Sequence, residues 1–182
     1  MGKKLSPEGK KLLLGIAREA IVAHIETGTV PKREEQHKLL LEQRGCFVCV
    51  KIDGKLRGCI GNFTSDRPLY LVIQEMAVSA ATKDPRFYPM RKEDLGNFTL
   101  EISVLTPLEK ISSIDEIQIG VHGIYLEKNF SRGVLLPQVA TEYGWDRETF
   151  LNQTSMKAGL SADAWQEGAD LYIFGAEVFS ET

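Results

Sequence analysis

Cysteine is scarce in this 182-residue chain: three residues, all within the stretch CFVCVKIDGKLRGC that runs from Cys46 to Cys59. So small and odd a count is no disulfide framework, and a chain of this length can bury a hydrophobic core without one. Long apolar runs are also missing. Nothing approaches the roughly 20 residues that cross a bilayer as a helix, so no membrane association is expected. The short run Leu12–Ala17 lies near two lysine pairs, contains Gly15 and is followed at once by Arg18 and Glu19. With no small-residue cleavage site beside it, it is not expected to be a secretory signal. The expected compartment is cytoplasmic, with thiols kept reduced. Charge of one sign is not in excess either: the net charge is −3, which makes nucleic acid an unlikely partner, although a local basic patch is compatible with it. There is no repeat and no low-complexity tract. The chain has no glycine-rich phosphate loop, no G-x-G-x-x-G, no H-E-x-x-H and no G-x-S-x-G elbow, and no aromatic–basic platform for RNA.

The pattern that is present reads as α+β. Ser6-Pro7-Glu8 can cap a helix, along which Leu12, Leu13, Ile16, Ala17, Ala20 and Ile21 recur at helical spacing, with Gly28 and Pro31 ending it. Cys46–Ile52 reads as a strand and Lys55–Asn62 as its return, because Asp53-Gly54 suits a type I′ turn. A helix opens at Asp66-Arg67-Pro68, carrying Leu69, Val72, Ile73, Met76, Ala77 and Ala80 as one stripe. Residues 98–104 alternate as a strand, residues 124–136 hold a second hairpin around Asn129–Arg132, Asp146–Ala158 reads as a helix and Leu171–Phe179 as one final strand. Helices interleave with hairpins, so antiparallel pairing is expected rather than a doubly wound parallel sheet.

The clustered cysteines have four readings. A zinc site lacks its second half, and Cys46 and Cys49 at i and i+3 of a strand point to opposite faces, so no metal is expected. A redox pair of that spacing normally sits at a helix N-terminus, whereas here a hairpin follows. With a regular two-residue hairpin, Val48 faces Cys59, Val50 faces Arg57 and Phe47 faces Ile60. That assigns Cys49 to the core and places Cys59 beside Arg57, whose guanidinium would favour a thiolate. Packing remains the simpler account of Cys59, with a functional thiol the sharper one. Gly58 and Gly61 flank this pair, and glycine within a strand marks a bulge or the close approach of a ligand or another backbone. Further polar candidates are Glu101, on the polar side of its strand, and His122, between two glycines, each able to serve as proton acceptor. Asp84 and Arg86 stand around Pro85 in a rigid turn able to bind an anion.

At LRGCIG (56–61) the chain resembles the AMMECR domain family, called AmmeMemoRadiSam system protein A in prokaryotes. RGCFV (44–48), DPRF (84–87), EISVL (101–105), HGIYLE (122–127), LLPQVATEYGWDRETFL (135–151) and KAGL (157–160) follow the family in order. The resemblance implies one α+β domain over 1–182 with antiparallel sheets in two unequal parts and a cleft between them. The N- and C-terminal regions would share the larger part, and the small lobe would lie within about 107–140. It also implies a Memo-like protein and a radical-SAM protein as partners. It carries over Arg57, Gly58, Gly61, Asp84, Arg86 and Gln138 as binding residues and Cys59, Glu101 and His122 as catalytic ones. Asn62 departs from the Ser or Thr expected there, and Thr154-Ser155 stands where the family often has Leu-Cys. The expected function is an accessory or ligand-binding role, without a resident cofactor. The alternatives are an enzyme using Cys59 on a small molecule, nucleotide or macromolecule, and a nucleic-acid binder.

Overall fold

The computed structural model describes residues 3–181, which divide into two compact units. One takes in the described residues through Leu105 together with those from Glu177 onward, and the other is Thr106–Ala176.

In the first unit, helix α1 (Pro7–Thr27) starts where the Ser6 side chain accepts the Gly9 N–H and ends on Gly28 in the left-handed conformation. Helix α2 spans Leu69–Thr82. Strands β1 (Cys46–Ile52), β2 (Lys55–Asn62), β3 (Phe98–Leu105) and β8 (Ala176–Ser180) form a sheet in the order β2-β1-β3-β8. The two helices cover one face of it. Leu13, Ile16 and Ile21 of α1 and Val72, Ile73 and Ala77 of α2 share a core with Cys46, Val48, Val50, Leu100 and Ile102. The opposite face carries Phe47, Cys49, Lys51 and Glu101, all partly buried.

The second unit holds a sheet of order β4-β7-β5-β6, with β4 Glu109–Lys110, β5 Gly123–Lys128, β6 Ser131–Leu135 and β7 Asp170–Phe174. Helices α3 (Pro137–Tyr143) and α4 (Arg147–Lys157) belong to the same unit. Its core gathers Ile117, Ile124, Leu126, Ala140, Phe150 and Leu151. Asp146 caps α4 by accepting the Thr149 N–H at 2.7 Å.

Three sequence expectations change. The final strand is two strands, β7 and β8, parted at Gly175 and placed in different sheets. Helix α3, not expected from LLPQVA, has the ordinary signals of a short helix: Pro137 at its first turn and Gly144 in the left-handed conformation at its end. The first hairpin does turn at Asp53 (φ 53°) and Gly54 (φ 74°), as a type I′ turn requires, but its strands are not in the regular register. Lys51 pairs with Leu56 and Val50 with Gly58, so Arg57 is an extra residue, a bulge. The cause lies on the helix side. Val50 is fully buried, and a regular pairing would set Arg57 opposite it, beneath α2. The bulge brings Gly58 there instead. A Cβ on Gly58 would overlap the carbonyl of Ala80 in α2, so only glycine allows the strand and helix backbones to touch.

Candidate functional site

Beyond the bulge every β2 side chain is displaced by one position relative to β1. Cys59 therefore opposes Cys49, not Val48, and the two form a disulfide with Cα atoms 4.0 Å apart. This corrects the assignment of Cys49 to the core. Cys46 is the core cysteine, fully buried, its thiol pushed up to about 12 by desolvation. The cysteines expected to stay reduced include a bonded pair, although not the pair at 46 and 49.

Cys49 also pairs with Glu101 of β3. Cys59, Cys49 and Glu101 thus form one row across three strands, on the face away from the helices. Lys51 donates to the Glu101 carboxylate at 3.0 Å, and the Ser180 hydroxyl lies 3.4 Å from the same oxygen. Cys49 and Cys59 make a non-hydrogen-bonded pair, so the Cys59 N–H points outward from the sheet edge. Asp84 accepts it at 3.0 Å.

Asp84 is held in turn by Arg86. The guanidinium donates through Nε at 3.0 Å and Nη2 at 2.7 Å, and the Arg86 backbone N–H adds a bond at 3.1 Å. The Arg86 side chain foremost, then the Cys59 and Arg86 N–H groups, hold the Asp84 carboxyl well below the usual carboxylate range against the opposing effect of burial. The turn Asp84-Pro85-Arg86 is therefore a clamp on the edge of β2.

Arg57 leaves the Cys59 face at the bulge. Its guanidinium stands 4.0 Å from Asp94 and 5.9 Å from the centre of the Phe87 ring, which also carries the Arg86 guanidinium at 5.5 Å. Arg57 Nη1 is buried without a hydrogen-bond partner. Gly61 has a packing reason like that of Gly58, since a Cβ there would meet the Cys46 carbonyl and the Phe47 ring. His122 and Gln138 belong to the second unit. His122 accepts the Gln118 N–H at its Nδ1 and donates its backbone N–H to the Gln118 carbonyl, a turn closed on itself. Gln138 is exposed near the start of α3. The residues brought together are thus Cys59, Glu101, Asp84 and Arg86, with Arg57 bordering the same turn. Sequence reasoning missed Cys49, Lys51 and Ser180. Among the described residues no group of three or more His, Cys, Asp or Glu could hold a metal ion, and no helix is long and apolar enough to cross a membrane.

Fold and site define a class: an α+β protein of two units with antiparallel sheets, the first of which carries a cross-strand cysteine pair beside a Lys–Glu pair. The chain belongs to the AMMECR1 family, whose profile matches residues 14–179. A protein of Methanopyrus kandleri is 41% identical over an alignment covering 100% of this chain and 92% of that one. One from Methanothermobacter thermautotrophicus is 42% identical, covering 97% and 96%. Among solved structures, the crystal structure of an uncharacterized protein from Pyrococcus horikoshii matches with a TM-score of 0.85 at 38% identity, covering 98% of this chain and 94% of that chain.

Proposed function

We propose that the chain is a binding component that acts with a Memo-like and a radical-SAM partner in the cytoplasm, and that the row Cys59–Cys49–Glu101 with Lys51 is its recognition patch. The observation that supports this is the register: three residues of one hairpin, Cys49, Lys51 and Cys59, and one of the distant strand β3, Glu101, share the one face of the sheet that its helices leave free. A Lys–Glu pair and a disulfide, both partly exposed, give a partner oriented charges and a polarisable surface. Tagged protein should co-purify with the Memo-like protein, and Glu101→Ala should weaken that complex about tenfold, the loss typical of one interface residue worth more than 1 kcal/mol. A complex that forms equally well with Glu101→Ala, or none with either partner, defeats the proposal.

The enzymatic reading has its own support in the opposition of Cys49 and Cys59, since reduction would free two neighbouring thiols. Its test is the rate of alkylation of Cys59 against pH in Cys49→Ser. A thiol no faster than an ordinary one, which titrates at about 8.5, removes Cys59 as a nucleophile.

A further inference from the structure

The two edges of the first sheet are treated differently. At the β2 edge, Asp84 accepts the outward N–H of Cys59. At the β8 edge the outward groups follow from two bonds: Glu181 N–H to the Leu100 carbonyl at 3.0 Å and Thr106 N–H to the Gly175 carbonyl at 2.9 Å. Both fit one antiparallel register, in which the odd-numbered residues of β8 bond to β3. Val178 and Ser180 therefore turn their N–H and C=O groups to the free edge, and among the described residues no strand lies beyond β8. A bare edge is a template for another extended chain, and Val178 adds an apolar side chain that is 51% exposed.

A groove of about 810 Å³ runs along this edge between β8 and α1. Lys10, Lys11, Leu14 and Gly15 of α1 line one wall, and Phe179 and Ser180 the other. Gly15 is the informative residue. Glycine in the middle of a helix costs about 0.5–1 kcal/mol relative to alanine, and packing supplies no reason for it, because a Cβ at Gly15 would meet nothing within 4 Å. The bare backbone widens the groove. Its charge is positive on the helix side. The Lys11 side chain has no hydrogen bond or ion pair among the described residues, and Lys10 lies 3.5 Å from Glu177. At the far end Arg18 is tied to Glu181 by two bonds of 2.7 Å.

We propose that the β8 edge and α1 bind an extended segment of a partner protein as an added strand, with acidic side chains turned to Lys10 and Lys11 and apolar ones beside Val178. The alternation of a strand supplies these two faces, and main-chain bonds to Val178 and Ser180 supply the docking itself. This surface adjoins the Cys59 row at Ser180, whose hydroxyl meets Glu101, but its argument stands without the function proposed above.

The probe is a labelled peptide, acetyl-Glu-Val-Glu-Val-Glu-Val-amide, followed by fluorescence anisotropy against its Lys-Val counterpart. The acidic peptide should bind, more weakly as salt rises, and should slow exchange of the Val178 and Ser180 amides. Val178→Pro removes an outward N–H that β3 does not use, so the fold should persist while affinity drops about tenfold or more. Gly15→Leu should fill the groove and abolish binding while leaving the melting temperature unchanged or higher, which separates lost docking from lost folding. Equal binding of both peptides, binding of neither, or wild-type affinity in Gly15→Leu and Val178→Pro overturns the proposal. So does a concentration-dependent dimer that Val178→Pro dissolves, which would give the edge to a second copy of this chain.

Discussion

Replacing Asp84 by alanine tests whether the Asp84–Arg86 turn clamps the sheet edge. The carboxylate accepts bonds from the Cys59 N–H, the Arg86 N–H and two guanidinium nitrogens. Its side chain is 2% exposed, whereas that of Arg86 is 56% exposed. Without Asp84 the guanidinium can turn into water, so the loss should stay below the about 3–5 kcal/mol of breaking a fully buried pair. The Cys59 N–H cannot move, because β2 holds it, and a stranded donor costs about 1–3 kcal/mol. We expect a loss of about 2 kcal/mol, or about 4–8 °C in melting temperature for a chain of this size. Calorimetry is the suitable assay, since both tryptophans, Trp145 and Trp165, lie in the second unit and report on the wrong half. The pH dependence has a definite sign. Asp84 is held below its unfolded value, so its contribution is fully present above about pH 4 and fades as pH falls through the lower folded value. The gap between wild type and Asp84→Ala should therefore close in acid. A variant within about 0.5 kcal/mol of wild type at neutral pH, with an unchanged exchange rate for the Cys59 amide, would refute the clamp.

Gly58→Ala should destabilise by about 3 kcal/mol, the upper range for overpacking, because its Cβ would overlap the Ala80 carbonyl; urea unfolding measures it, with Gly15→Ala as a control expected to gain about 0.5–1 kcal/mol. Ser6→Ala should lose about 1 kcal/mol through the missing cap on α1, read from the same unfolding curves. Thiol titration of the native, unreduced protein should find no reactive thiol, since Cys46 is buried and Cys49 and Cys59 are bonded; reductant should release two without unfolding. Reduction should lower stability by at most about 3 kcal/mol, the loop-closure value for a sequence separation of 10, because the turn at Asp53-Gly54 already holds the strands together.

Much of the fold was legible where one signal governs one element. Ser6 and Pro7 mark the start of α1, Gly28 its end, and Asp53-Gly54 the turn, because each is a local backbone requirement that the side chain itself meets. Helix α3 was not legible. Seven residues show no amphipathic period, and only Pro137 and Gly144 announce it. The division of residues 170–180 into two strands was hidden as well, since Gly175 reads equally as a strand glycine and as a break between sheets.

The site failed for a different reason, and a single residue carries it. Side-chain alternation has a period of two, so one extra residue moves every later side chain to the other face. Arg57 is that residue. Read without the bulge, the motif sets a cationic side chain beside Cys59 and sends Cys49 to the core; read with it, Cys59 meets Cys49, which pairs in turn with Glu101, while Arg57 goes to Asp94 and Phe87. The signal was Gly58. A glycine next to an arginine opposite the buried Val50 is where a helix backbone can approach, and that approach is set by Ala80, more than twenty residues away in sequence. Local pattern predicts the turn because the turn is local. It cannot predict the bulge, because the contact that selects the bulge exists only after α2 has packed on the sheet.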